Sequence, residues 1–229
     1  MSEWVGWHEG YAPGQPLALR LGVVQGLIRS ALDSRPPGPI RVVSMCAGDG
    51  RDLLGVLPGH PRRRDLHARL VELDPDLAAR GAARAESLSS TIDVVNADAS
   101  LTSAYTGAVP ADMVLVCGVF GNISDDDINR TVAALPSLCA PGATVIWTRG
   151  TFAPDLTPAI RSWFEAGGFT ELSFVSVPGT TVGVGANLLT SAPPPFDPNV
   201  RLFTFLPREE RPSQRSPASP AVAKISEEG

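Results

Sequence analysis

"VVSMCAGDGRDLLG", residues Val42 to Gly55, runs from one apolar stretch to another through a turn built on two glycines. The first stretch is short and rich in β-branched residues, as a strand buried on both faces should be. Gly48 and Gly50 let the backbone bend sharply and leave no Cβ between the main chain and a ligand. What that turn holds depends on the architecture around it.

Downstream, strand-like and helix-like segments alternate. Ile40–Met45, Ala68–Leu73, Ile92–Val95, Met113–Cys117 and Thr144–Thr148 read as buried strands, and Glu171–Val177 and Val200–Leu206 as two more. Helices are expected after Arg51, after Pro75, near Ser100–Tyr105, from Asp125 to Leu138 and after Thr157. Ser124 and Thr157 are the expected caps, with Asp125 to Asp127 matching the positive end of the dipole, and Pro141-Gly142 as a stop. The stretch "PGTTVGVGANLLTSAPPPFDP", 178–198, reads as a glycine- and proline-rich connection. Alternation of this kind predicts an α/β fold: a Rossmann-like, doubly wound, mostly parallel seven-stranded sheet with helices on both faces. Ligands of such sheets bind at the carboxyl ends of the strands, where the quoted turn lies.

Before the first strand, Leu17, Leu21, Val24, Ile28 and Leu32 recur at helical spacing until "RPPGP", 35–39, stops the pattern. Trp4, Trp7, His8 and Tyr11 precede that helix and bring large apolar faces with hydrogen-bonding tips. The expected organisation is an aromatic segment and lid helix over 1–39, one domain over 40–207 and a disordered tail over 208–229, where the chain turns polar and rich in proline and serine.

Composition narrows the function classes. With 229 residues, 43% hydrophobic and 19% charged, the chain has material for one large core. A net charge of -5 gives no long-range attraction for a phosphate backbone, so nucleic acid is not the expected partner; "HPRRRDLHAR", 60–69, reads as a solvated segment. Cys46, Cys117 and Cys139 lie in or beside apolar runs without paired spacing, which predicts no metal site or disulfide and a reducing, cytoplasmic setting. No stretch approaches the roughly 18 apolar residues of a membrane span.

Gly48-x-Gly50, with Glu72 roughly 20 residues on as a ribose partner, begins a dinucleotide pattern. Leu53 replaces its third glycine, and Asp49 would set a carboxylate where a pyrophosphate wants N–H groups. A ligand with a ribose, no phosphate and a positive charge suits these residues better. Asp49 has an equal alternative as a helix N-terminal charge, and Asp74 before Pro75 reads as a helix cap.

Four blocks in order, "VVSMCAGDG", "LVELDPDL", "VVNADAS" and "DMVLVCGVFGNIS", resemble the class I S-adenosylmethionine-dependent methyltransferases over Ile40 to about Leu206. The resemblance implies that Ala47, Gly48, Asp49 and Gly50 contact the methionine part of S-adenosylmethionine. It implies Glu72, with Leu73 beside it, on the ribose hydroxyls, and Asp98 at the adenine amino group between Ala97 and Ala99. It implies further that Cys117, Gly118 and Val119 line the cofactor, and that Phe120 and Asn122 face it or the acceptor. "CAGDGRDLL", "GVFGNIS" and "LTPAIRSWFEAGGF" resemble bacterial members of the family whose acceptor the resemblance does not define.

The expected activity is methyl transfer to a small-molecule acceptor, with a nicotinamide-dependent oxidoreductase and a non-catalytic S-adenosylmethionine-binding regulator as alternatives. Transfer from a sulfonium needs mainly alignment and exclusion of water. His8 is the candidate base, since histidine titrates near neutrality, and Tyr11, Asn122 and Arg149 are candidates for orienting the acceptor.

Overall fold

The computed structural model describes residues 11, 12, 14–88 and 90–211. His8, Trp4 and Trp7 lie outside the described residues, as does the expected tail from residue 212 onward.

A first helix, α1 (Pro16–Ser34), opens with proline, whose missing N–H would be unpaired there in any case. Then follow β1 (Ile40–Met45), the short α2 (Arg51–Leu54), β2 (Leu66–Glu72), α3 (Pro75–Glu86), β3 (Thr91–Asn96) and β4 (Ala111–Val116). The chain continues through α4 (Asp125–Ala134), β5 (Cys139–Gly150), α5 (Thr157–Ala166), β6 (Phe169–Ser176) and β7 (Val182–Leu189). The seven strands form one sheet in the order β3-β2-β1-β4-β5-β7-β6, with β3 to β5 parallel and β7 antiparallel to both neighbours. The order reverses between β1 and β4, which is the switch point of a doubly wound sheet.

Central strands read as unbroken apolar runs because both faces are covered. Val114 and Val116 of β4 point into one layer with Ile128 and Val132 of α4 and Ile160 and Phe164 of α5. Met113 and Leu115 point into the other with Val24, Ile28 and Leu32 of α1, Leu53 of α2 and Ala85 of α3. The apolar stripe of α1 therefore belongs to the main core.

Three details depart from the sequence reading. The last strand is Val182–Leu189, inside the stretch expected to be a connection, and 200–206 contributes only isolated bridges at Arg201 and Phe205. Glycine there serves packing, not freedom: Gly185 lies opposite both Trp147 and Phe174 in register, and a Cβ on it would come within 2.3 Å of the Trp147 ring. Trp147 stacks on Phe164 and donates from its indole N–H to buried Asn187 at 2.8 Å, so β7 supplies both the space and the acceptor for the largest side chain of the core. Pro141 and Gly142 lie within β5, and α4 tightens into a 3-10 turn over Leu135–Leu138 that carries Pro136. Thr157 is the first residue of α5 and not its cap: the N-cap is Leu156, with no side-chain bond, and Asp155 before it accepts from the Thr157 N–H and hydroxyl. The Ser124 cap is as expected. Of the acidic run that follows it, Asp127 is buried and accepts from the Thr204 N–H, fastening 200–206 over the sheet.

Gly185→Ala should force the Trp147 ring from its rotamer and destabilise the fold by about 1–3 kcal/mol, measured by urea unfolding. Unchanged stability would show that β7 does not confine Trp147.

Candidate functional site

Register brings the chemistry to one edge of the sheet. Met45 pairs with Val71, Val71 with Val95, Ser44 with Leu115, and Val116 with Trp147. The next residues on each strand, Cys46–Gly48, Glu72, Asp98, Cys117–Gly118 and Thr148–Arg149, therefore meet around one cleft of about 1370 Å³. A single small-ligand site occupies about 300–1,000 Å³, so this cleft has room for two molecules side by side.

The turn after β1 is held left-handed at Cys46, Gly48 and Gly50, with φ of 49°, 58° and 74°. Glu72 fixes it from the next strand. One carboxylate oxygen accepts from the Gly48 N–H at 2.7 Å and the other from the Asp74 N–H at 2.9 Å. Each oxygen keeps a lone pair, and the residue still lines the cleft although only 7% exposed. Asp74 in turn caps α3 by accepting from Asp76 and Leu77, as its place before proline suggests.

Asp49 has a different setting from the one its sequence position implied. The residue is 2% exposed, and its carboxylate is paired with Arg51, through both oxygens at 2.8 and 2.6 Å, and with Arg84 at 3.1 Å. The charge is neutralised inside the protein and is no bare anion facing a ligand. The Arg51 guanidinium lies 4.0 Å from the centre of the Tyr11 ring, and the Tyr11 hydroxyl accepts from Arg20 at 2.7 Å. Burial raises the Tyr11 hydroxyl above its ordinary value, with Arg20 opposing, so it stays protonated at neutral pH.

Of the expected cofactor residues, Ala47, Gly48, Asp49, Glu72, Leu73, Asp98, Ala99, Cys117, Gly118 and Asn122 line the cleft, and Gly50, Ala97 and Val119 do not. Gly50 faces Leu54 and Leu70, so its glycine serves the strand-to-helix turn. Val119 is fully buried in the core, and Ala97 packs against the same layer. Asn122 braces the turn after β4 by donating to the Gly118 carbonyl. Gly118 and Gly121 leave that wall without side chains, and the Gly118 N–H is held by the Thr148 hydroxyl.

The sequence reading passed over Arg20, Asp52, Thr148, Phe152, Phe205, Arg208, Glu209 and Arg211, all in the cleft wall. Arg20 carried a signal: it lies four residues before Val24 on the buried stripe of α1, where a charged residue needs a reason. Arg208 to Arg211 had none, since polar residues after Pro207 read as tail.

The thiols beside the cleft are held in their protonated form. Burial pushes Cys46 and Cys117 up, aided by Glu72 beside the first and Asp52 beside the second. Among the described residues no histidine lines the cleft, and no group of three or more potential ligands could hold a metal ion. Burial also works to raise Asp98, but hydrogen bonds from Ser100 and Arg201 outweigh it and hold the carboxyl below its ordinary value.

A carboxyl lowered on folding stabilises the native state above its unfolded pKa of about 3.9, and that contribution fades as pH falls through the folded value. Urea unfolding of Asp98→Asn should therefore differ from wild type by a constant amount above about pH 5 and converge with it in acid. A gap that does not narrow would remove the charge from the account.

No family model matches the chain, and no curated protein matches it in sequence. Its structure is similar to a magnesium protoporphyrin IX methyltransferase from Synechocystis PCC 6803 with bound SAM, at a TM-score of 0.60 and 12% identity over 80% of this chain and 88% of that one. It is similar also to the 1,6-didemethyltoxoflavin-N1-methyltransferase of Burkholderia thailandensis with bound 1,6-didemethyltoxoflavin and S-adenosylhomocysteine, at 0.60 and 16% over 82% and 87%. A (4+2)-cyclase, SpnF, has the same architecture, at 0.57 and 15% over 82% and 84%. No helix of the described residues is long and apolar enough to cross a membrane. The chain has the fold of the class I S-adenosylmethionine-dependent methyltransferases.

Proposed function

We propose that the protein is an S-adenosylmethionine-dependent methyltransferase acting on a small molecule. The observation that carries this reading is Glu72: a carboxylate at the end of β2 that grips the glycine turn and the Asp74 N–H yet keeps a lone pair on each oxygen toward the cleft. Two adjacent ribose hydroxyls match that pair of acceptors. Bound there, the cofactor would supply an electrophilic methyl group on a sulfonium.

The rest of the wall suits the same ligand. Ala47 and Gly48 would lie along its methionine part, Leu73 and Ala99 beside the adenine, and Asp98, held ionised, would accept from the adenine amino group. Cys117 and the side-chain-free Gly118 would complete the floor. The remaining volume, between Tyr11 and Arg20 on one side and Asn122, Arg149 and Phe152 on the other, is the proposed acceptor compartment. Its aromatic rings would exclude water and hold the acceptor in line, which is the main demand of this displacement. The three free thiols accord with a cytoplasmic setting, and the net charge of -5 does not favour nucleic acid as acceptor.

Isothermal titration with S-adenosylhomocysteine tests the reading. Wild type should bind, and Glu72→Ala should lose about 2–3 kcal/mol of affinity if both charge-assisted bonds form. The variant also orphans the Gly48 and Asp74 N–H groups, so its fold is checked by circular dichroism. No binding by wild type, or equal affinity in the folded variant, would count against the proposal.

A further inference from the structure

Arg149, 4% exposed, ends the buried part of β5 in the wall of the cleft. Its Nη1 donates to the Phe120 carbonyl, its Nε has no partner, and among the described residues no carboxylate lies within ion-pair distance. The opposite charges that act on it, Asp125 and Asp155, are both exposed, and Asp155 is engaged by the Thr157 N–H and hydroxyl. A buried cation without a counter-ion is costly to keep, and burial accordingly lowers its proton affinity despite those two carboxylates. The other buried arginine of the cleft differs: Arg20 has Asp52 at 3.6 Å. Phe152 lies against the Arg149 guanidinium, 5.7 Å from it to the ring centre, an apolar neighbour beside the one carbonyl the guanidinium holds.

We propose that Arg149 is the receptor for a carboxylate on the molecule that occupies the acceptor compartment. This rests on the methyltransferase reading for what the compartment is, but the anion site stands on its own geometry. The Nε–H, unpartnered but covered in this structure, belongs to the guanidinium edge not used on the Phe120 carbonyl, and a planar carboxylate that reaches that edge can accept from it. A monoanion balances the single unpaired cation, whereas a dianionic phosphate would want a second one. Next to Phe152, an aromatic or otherwise flat carboxylate is favoured. The methionine part of the cofactor also carries a carboxylate, but it belongs by the turn after β1. Arg149 is two strands away across β4, about 10 Å at the usual strand spacing.

Benzoate and its neutral isostere benzamide are the probes, titrated into wild type and Arg149→Gln by ligand-observed NMR, with and without S-adenosylhomocysteine. Wild type should prefer benzoate by about tenfold, and the variant should lose the preference while binding S-adenosylhomocysteine as before. Equal binding of the two probes to wild type, or an undiminished preference in the variant, overturns the proposal. Weaker S-adenosylhomocysteine binding in Arg149→Gln would assign the arginine to the cofactor and overturn it too. If the glutamine variant does not fold, Arg149→Met supplies the same comparison. Failure of wild type to bind S-adenosylhomocysteine counts against the methyltransferase reading, while the benzoate preference of the protein alone still decides the arginine.

Discussion

Two backbone N–H groups, those of Gly48 and Asp74, end on the two oxygens of Glu72. Without that carboxylate the turn after β1, left-handed at Cys46, Gly48 and Gly50, would keep only the Ala47 N–H bond to the Val71 carbonyl as a tie to β2, and the start of α3 would lose a donor's partner. The strand register sets the height at which this happens: because Met45 pairs with Val71, the turn and the carboxylate arrive at the same level of the sheet. Everything else in the cleft is arranged around those two strand ends.

A second constraint is charge. The cleft wall contains several arginines and carboxylates, and among the described residues Asp49 is matched by Arg51 and Arg84, Asp52 by Arg20 and Asp98 by Arg201. Matching of this kind keeps the site rigid without leaving a strong net field over it. Against that background one buried guanidinium without a carboxylate beside it stands out as a place prepared for a ligand's charge.

The β1 turn, the parallel strands and the switch point were legible in the sequence because buried parallel strands are continuous apolar runs and their turns need glycine. The last strand was not. Gly183 and Gly185 read as a loop, and only the bulk of Trp147 and Phe174 across the sheet explains why a strand carries them. The stretch around Leu202 and Phe203 misled in the opposite direction: both neighbours are buried, so the segment covers the core without the alternation of a strand. In the site, Glu72 was singled out by its spacing to the turn and Asp98 by the resemblance of its block to the methyltransferases, whereas the pairing of Asp49 depends on Arg84, thirty-five positions along the chain, and no local pattern announces it.

The central claim is that Glu72 both builds the turn and receives the ribose of S-adenosylmethionine. A crystal structure with S-adenosylhomocysteine tests it most directly. The account predicts both ribose hydroxyls on the Glu72 carboxylate, with the Gly48 and Asp74 bonds intact, the adenine beside Asp98 and the sulfur open toward Asn122 and Arg149. A product molecule seated elsewhere in the cleft, or one whose ribose leaves Glu72 untouched, would contradict it.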